Sequence, residues 1–286
     1  MSRAFGFIRL LRPVNGLMMG LAVIVGASLA LAESFSTAVA LNLLLGFITA
    51  FTLSGASMAI NDYYDYEIDK INEPNRPIPS GIVKHRESVV FAFILILIGL
   101  ATSALTTPFS LMLLTVAAVS LLISVAYVTK GKKTGLPGNF LVSACVAISF
   151  VYGSFVVGQG LTLKVLLFAA LAFLSNTGRE VAKGIVDVEG DRTKGMRTVM
   201  VVNGGKVACV VSSCFFLSAV FLSLFPWLLG LVSIWYVPFV VVADVGFAAS
   251  SIMLVQNHSR ENARRIKNLA LVWMLLGMMS FFAGTF

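Results

Sequence analysis

Charge is what this sequence has least of. Asp, Glu, Lys and Arg make up 12% of its 286 residues, about half the share usual in soluble globular domains, which excludes a fold whose main solvent is water. Acids are the rarer sign, 13 against 21 Lys and Arg. With two histidines and no H-E-x-x-H, a zinc site built on histidine is not expected. The EF-hand pattern is absent as well. Three cysteines, Cys145, Cys209 and Cys214, form no C-x-x-C pair and no framework spacing, so they read as small core residues, neither zinc ligands nor staples.

What fills the chain is hydrocarbon, 58% of its residues. Runs able to cross a ~30 Å apolar core lie at approximately 13–32, 38–60, 87–105, 109–129, 138–157, 162–182, 206–225, 231–255 and 267–286. In lipid every backbone polar group must be bonded internally, so these runs are helices, and no alternating barrel pattern competes. The expectation is an all-α integral membrane protein of nine transmembrane helices around a central cavity. It is read as one polytopic domain over residues 1–286, with cytoplasmic loops near 61–86 and 183–205. The segment Ala30-Leu31-Ala32 before Glu33 imitates a signal-peptide cleavage site. Its apolar stretch is long enough to span and eight more follow, so an uncleaved first helix is expected.

Basic residues set the orientation. If nine helices alternate, Arg3, Arg9 and Arg12, Lys70 to Arg86, Lys130 to Lys133, Arg179 to Lys206 and Arg260 to Lys267 share one side, and Lys164 falls opposite. The positive-inside rule then puts the N-terminus in the cytoplasm and the C-terminus outside a cell membrane. The net charge of +8 is mostly this rule at work, and no nucleic-acid partner is read from it.

Nine of the 13 acids fall in two short windows, residues 62–73 and 180–191. In the first, a continuing helix would gather Asn61, Asp62, Asp65 and Asp69 within about 100° of arc and stop near Asn72, ahead of Pro74, Pro77 and Pro79. In the second, Arg179, Lys183, Asp187 and Asp191 are spaced four apart. Carboxylates crowded on one face require a hard cation. Two or three Asp per ion, with other positions left to water or phosphate, describe Mg²⁺ better than a closed calcium cage. Arg76, Arg179 and Lys183 are interleaved with them, a combination suited to a diphosphate.

These residues resemble a known family, the UbiA superfamily of intramembrane prenyltransferases. Its first motif, N-D-x-x-D-x-x-x-D, is matched by Asn61, Asp62, Asp65 and Asp69, and R-P-x-x-S-G by Arg76, Pro77, Ser80 and Gly81. Its second, D-x-x-x-D with a Lys one turn earlier, is matched by Lys183, Asp187 and Asp191, and Arg12-Pro13-x-Asn15 is similar to the family's first helix. The resemblance implies a UbiA-like helical fold, Mg²⁺ and transfer of a prenyl group from a prenyl diphosphate. Within the family, residues 69–81 and 178–198 are most similar to the archaeal ether-lipid branch, which implies geranylgeranyl diphosphate as donor and geranylgeranylglyceryl phosphate as acceptor. The runner-up is the branch that prenylates a 4-hydroxybenzoate-type acceptor for quinone synthesis. A cation transporter is the remote alternative, disfavoured because these acids sit at helix ends and not at the bilayer midplane.

On this reading Asp62, Asp65, Asp187 and Asp191 hold Mg²⁺ with Asp69 in support, and Asn61, Arg76, Arg179 and Lys183 bind the diphosphate. Lys130, Lys132, Lys133, Arg192 and Lys194, with Arg197, are candidates for the acceptor phosphate, and Asn15 for binding the acceptor; the alternative reading of each cation taken singly is a topogenic charge facing lipid. No His is placed to act as base, so a carboxylate or the leaving diphosphate takes the proton. Asp244, inside the eighth span, is either a satisfied structural acid or part of a polar chamber wall. Tyr63, Tyr64 and Tyr66 read as an interfacial belt, with cation–π attraction to a carbocation as the alternative; His85 and His258 receive no role, and Gly204-Gly205 is expected as a turn before the seventh span.

Overall fold

Apolar runs without water to compete for the backbone become helices, and no strand occurs among the described residues. A computed structural model describes residues 2–31 and 36–286. The Ala32–Glu33 junction of the cleavage-like segment lies outside the described residues. In chain order the helices are α1 (Arg3–Leu11), α2 (Pro13–Ala30), α3 (Thr37–Tyr64), α4 (Tyr66–Asn72), α5 (His85–Leu105), α6 (Ser110–Thr129) and α7 (Leu136–Val156). Then come α8 (Leu163–Val186), α9 (Val188–Thr193), α10 (Val199–Leu222), α11 (Phe225–Leu228), α12 (Tyr236–Gln256) and α13 (Arg260–Ala283). Counting α10 with α11, nine helices among the described residues are long and apolar enough to cross a membrane.

The differences from the expected spans lie at polar ends. Helix α3 runs to Tyr64 and α8 to Val186, past the last apolar residue of each run. Within the stretches 61–86 and 183–205, the acidic motifs therefore sit on helix ends and on the short helices α4 and α9. Backbone hydrogen bonds continue through both segments, from Asp65 N to Asn61 O and from Asp187 N to Lys183 O. The seventh span starts at Val199, where the Thr198 hydroxyl caps Val201 N. The turn expected at Gly204 is a break inside this helix, with φ 82° and ψ 172°.

The chain divides into two compact units: Met1–Lys130 with Ile148–Gly160, and Gly131–Ala147 with Leu161–Phe286. In the first, α3 packs on α2, α5 and α6. Leu10, Ala56, Ala59, Ile78 and Val83 form a buried cluster that ties α1 and the loop after α4 to α3 and α5. In the second, α8 packs on α10 and α13, around Val181, Ile185, Phe216, Phe247, Leu254 and Ile266. The motif-bearing helix is thus central in each unit, so its polar end is held by the apolar packing below it.

Candidate active site

Pro13 fixes the start of the site in the first unit. As N1 of α2 it suits a helix start but disfavours helical geometry in the residue before it. Arg12 accordingly adopts φ 50° and ψ 69°, a left-handed conformation costly for a residue other than glycine. From that turn its guanidinium reaches Asp62 at 2.5 Å. Arg76 donates to Asp69 at 2.7 Å and lies 3.4 Å from Asp62. The loop aims Arg76 through its own bonds: Ser80 N and Oγ donate to Arg76 O, Gly81 N to Ile78 O at φ 76°, and Val83 N to Pro77 O. Asn61 Nδ2 donates to Asp65 at 2.8 Å.

Asp62, Asp65 and Asp69 are 2, 4 and 3% exposed, so three carboxylates are buried beside the guanidinium groups of Arg12 and Arg76. Burial is the main cause that pushes the Asp69 carboxyl up to about 6; Arg76 opposes the shift, and Asp62 and Asp65 add to it. The sequence expectation of one continuous face needs correction at one point. Asp65, at φ −85° and ψ 1°, breaks the helix between α3 and α4. Asp is a poor helix former whose side chain competes for backbone groups, and here its own carboxylate is bonded locally.

The second unit repeats this geometry. Asp187 has φ −92° and ψ 6° and separates α8 from α9, and Asp191 follows four residues later, 4% exposed. Its cations are arranged differently. Glu180, 8% exposed, accepts from Arg179 and from Lys183, each at 3.0 Å, and Lys132 adds attraction at longer range. Arg179 also donates to the Lys267 carbonyl at 3.2 Å, a contact from α8 to α13.

The acceptor candidates are mostly at the surface: Lys130, Lys133, Arg192, Lys194 and Arg197 are exposed, and Lys132 is half-buried. The segments carrying them are joined, since Arg197 N donates to Lys133 O at 3.2 Å and a Cβ on Gly135 would stand 2.3 Å from Arg197 O. Asn15 faces Met58 Sδ at 3.9 Å, one turn before Asp62 on α3. Sequence reasoning missed Arg12 and Glu180 as site residues. In sequence Arg12 reads as a topogenic charge, although it begins the Arg12-Pro13-x-Asn15 signature.

Asp244, half-buried within α12, has a local partner. It accepts from the Ser223 hydroxyl at 2.7 Å, and Ser223 O accepts from Tyr236 at 2.8 Å.

Among the described residues, no three His, Cys, Asp or Glu side chains form a group able to hold a metal ion. The donors that are present still fit Mg²⁺. They are carboxylate oxygens, mostly buried and one helical turn apart, and Mg²⁺ is commonly bound by one or two carboxylates with water and substrate phosphate completing its shell.

The sequence pattern of the UbiA prenyltransferase family matches residues 19–277. The chain is 34% identical over 279 residues to the digeranylgeranylglyceryl phosphate synthase of Methanothermobacter thermautotrophicus, covering 98% of this chain and 95% of that one. A solved structure of digeranylgeranylglyceryl phosphate synthase in membranes is similar with a TM-score of 0.73 at 28% identity, over 100% of this chain and 99% of the other. A UbiA homolog from Archaeoglobus fulgidus bound to GPP and Mg²⁺ shares the fold, with a TM-score of 0.67 at 17% identity over 96% and 99% of the two chains.

Proposed function

Because the chain belongs to the UbiA prenyltransferase family, we propose that it transfers a geranylgeranyl group from geranylgeranyl diphosphate to the hydroxyl of geranylgeranylglyceryl phosphate. The carbon–oxygen bond to diphosphate breaks, an ether bond forms, and the hydroxyl proton leaves to a carboxylate or to the departing diphosphate. The observation that carries this reading is the near full-length likeness to a synthase of that lipid, at 34% identity.

Asp62, Asp65, Asp69, Asp187 and Asp191 would hold Mg²⁺, which when bound supplies charge neutralisation for a diphosphate leaving group. Arg76 and Lys183, with Asn61 and Arg179 beside them, orient and neutralise the diphosphate, and Arg12 joins them through Asp62. Apolar spans keep water from the developing allylic cation. Lys132, Lys133, Arg192 and Lys194, with Lys130 and Asn15, receive the acceptor and its phosphate.

The protein is a multi-pass membrane protein, and we place the motif-bearing helix ends on the cytoplasmic face of the cell membrane. Single cysteines at Lys84 and Thr107, the two ends of α5, in a background without Cys145, Cys209 and Cys214, will label from opposite faces, Lys84 from the cytoplasm. Labelling from one face overturns the placement.

The acceptor is tested by product. Geranylgeranylglyceryl phosphate will be prenylated, while its dephosphorylated form and 4-hydroxybenzoate will be poor acceptors. Alanine at Lys132, Lys133, Arg192 or Lys194 will raise acceptor KM about ten- to hundredfold in at least one case, the worth of a charge-assisted hydrogen bond, with donor KM nearly unchanged. A higher kcat/KM for 4-hydroxybenzoate makes the protein an aromatic prenyltransferase and leaves those cations topogenic.

A further inference from the structure

His85 and Arg260 lie outside the proposed metal, diphosphate and acceptor sites, yet they make the same kind of contact. Each is the first residue of a helix, α5 and α13 respectively, and each bonds to a carbonyl just ahead of the Asp that breaks a motif helix. His85 Nε2 donates to Tyr63 O at 2.8 Å, two residues before Asp65. Arg260 Nε donates to Val186 O at 2.7 Å, one residue before Asp187. A helix end presents carbonyls that its own turns no longer satisfy, so a donor from a neighbouring helix fixes where the helix stops.

Both side chains also reach across the break. The His85 ring stacks on Tyr63, with centroids 4.0 Å apart, and on Tyr66, the first residue of α4, at 5.0 Å. Arg260 Nη1 donates at 3.0 Å to Glu189 Oε2, in the first turn of α9. Each therefore grips one residue before its Asp and one after it. The backbone of Asp65 and of Asp187 is held in the sparsely populated region between helix and strand, a conformation that persists where its surroundings over-determine it.

We propose that His85 and Arg260 are positioning residues of the reaction, staples that set the helix breaks from which Asp65 and Asp187 present their carboxylates. This rests on the reading above that those carboxylates serve Mg²⁺ and diphosphate. Removing a group that orients a ligand from behind commonly costs about 10- to 100-fold in metal affinity or activity. The interface belt expected of the tyrosines has a second use here: Tyr63 and Tyr66 form the surface that His85 clasps.

The test compares wild type with His85→Ala, His85→Phe, Arg260→Ala and Arg260→Lys. Backbone amide exchange will be read over residues 61–72 and 183–193, and Mg²⁺ affinity from the rise in unfolding temperature on titrating Mg²⁺ with inorganic diphosphate. His85→Ala will speed exchange in the first segment only, and Arg260→Ala in the second only. Each will raise the Mg²⁺ concentration for half-maximal stabilisation, and for half-maximal turnover, about tenfold or more, with acceptor KM changed less than about twofold. Arg260→Lys keeps a donor for Val186 O and will recover most of the loss. His85→Phe keeps the stack without the donor and will recover little. Folded alanine variants with wild-type local exchange and wild-type Mg²⁺ dependence overturn the proposal, as does a uniform fall in stability with the Mg²⁺ response intact. Failure of the wild-type protein to transfer a prenyl group removes the functional reading instead, and the exchange and Mg²⁺ stabilisation arms still decide whether the staples set the breaks.

Discussion

Asp62→Asn and Asp187→Asn are each expected to lower prenyl transfer by about 10²- to 10³-fold, the usual worth of a group stabilising charge that develops in the transition state. Asparagine keeps the shape of either side chain and removes the charge. At Asp62 the consequence is compounded, because this carboxylate, 2% exposed, is shared by Arg12 and Arg76. Its loss leaves two guanidinium groups, each about a quarter exposed, with one carboxylate fewer. Some fall in stability is therefore expected for Asp62→Asn. Asp187 is only half-buried, so Asp187→Asn isolates chemistry from folding more cleanly. The rate is to be measured on extracted protein shown to be monodisperse, with EDTA expected to abolish turnover and added Mg²⁺ to restore it. More than about a tenth of the wild-type rate in folded Asp187→Asn sinks the assignment of the second motif, and an EDTA-insensitive enzyme sinks that of the metal.

The parts of this architecture that sequence made legible are those with a period or a local spacing. Among the described residues, the nine apolar runs are nine helices long and apolar enough to span, because lipid leaves the backbone no alternative. The four-residue spacing of Asp65 and Asp69, and of Asp187 and Asp191, survives as one turn of backbone hydrogen bonding in each motif. What spacing could not reveal was the break at Asp65 and Asp187, because helical periodicity is blind to one residue leaving helical geometry while the bonding register continues. Nor could it reveal partners distant in the chain. Arg12 meets Asp62 across 50 residues, and Arg260 meets Val186 across 74. Both read in sequence as charges that set orientation, which describes where a basic residue sits relative to the membrane and says nothing of what it touches. Glu180 was passed over for a related reason. An acid one and three residues from two bases reads as an ordinary helix pair, whereas its burial at 8% makes it the shared counter-ion of Arg179 and Lys183.

Glycine in the first and fifth spans looks in sequence like tolerated background, yet alanine at Gly26 or at Gly153 is expected to cost about as much stability as a disrupted core. The two helices α2 and α7 meet here reciprocally. A Cβ on Gly26 would stand 2.1 Å from Phe150 O, and a Cβ on Gly153 would stand 2.1 Å from Val23 O. Each glycine thus faces a carbonyl three residues before the glycine of the other helix. Ordinary carbon–oxygen contact needs about 3.3 Å, so the backbones must part by on the order of 1 Å. Backbone cannot rotate away as a side chain can. Overpacking of a well-filled site costs about 1–3 kcal/mol and occasionally more, and this rigid crossing belongs at or beyond the upper end. Against a total stability of about 5–15 kcal/mol, that lowers the unfolding temperature by on the order of 10 °C and reduces the yield of monodisperse protein. Because both residues serve one crossing, the double variant is expected to lose less than the two single losses added together. Gly277→Ala supplies the contrast within α13: a Cβ there meets nothing within 4 Å, so this variant should unfold no earlier than wild type. If Gly26→Ala and Gly153→Ala unfold with Gly277→Ala, the crossing is not in contact through its backbones, and small residues at those positions have no packing role.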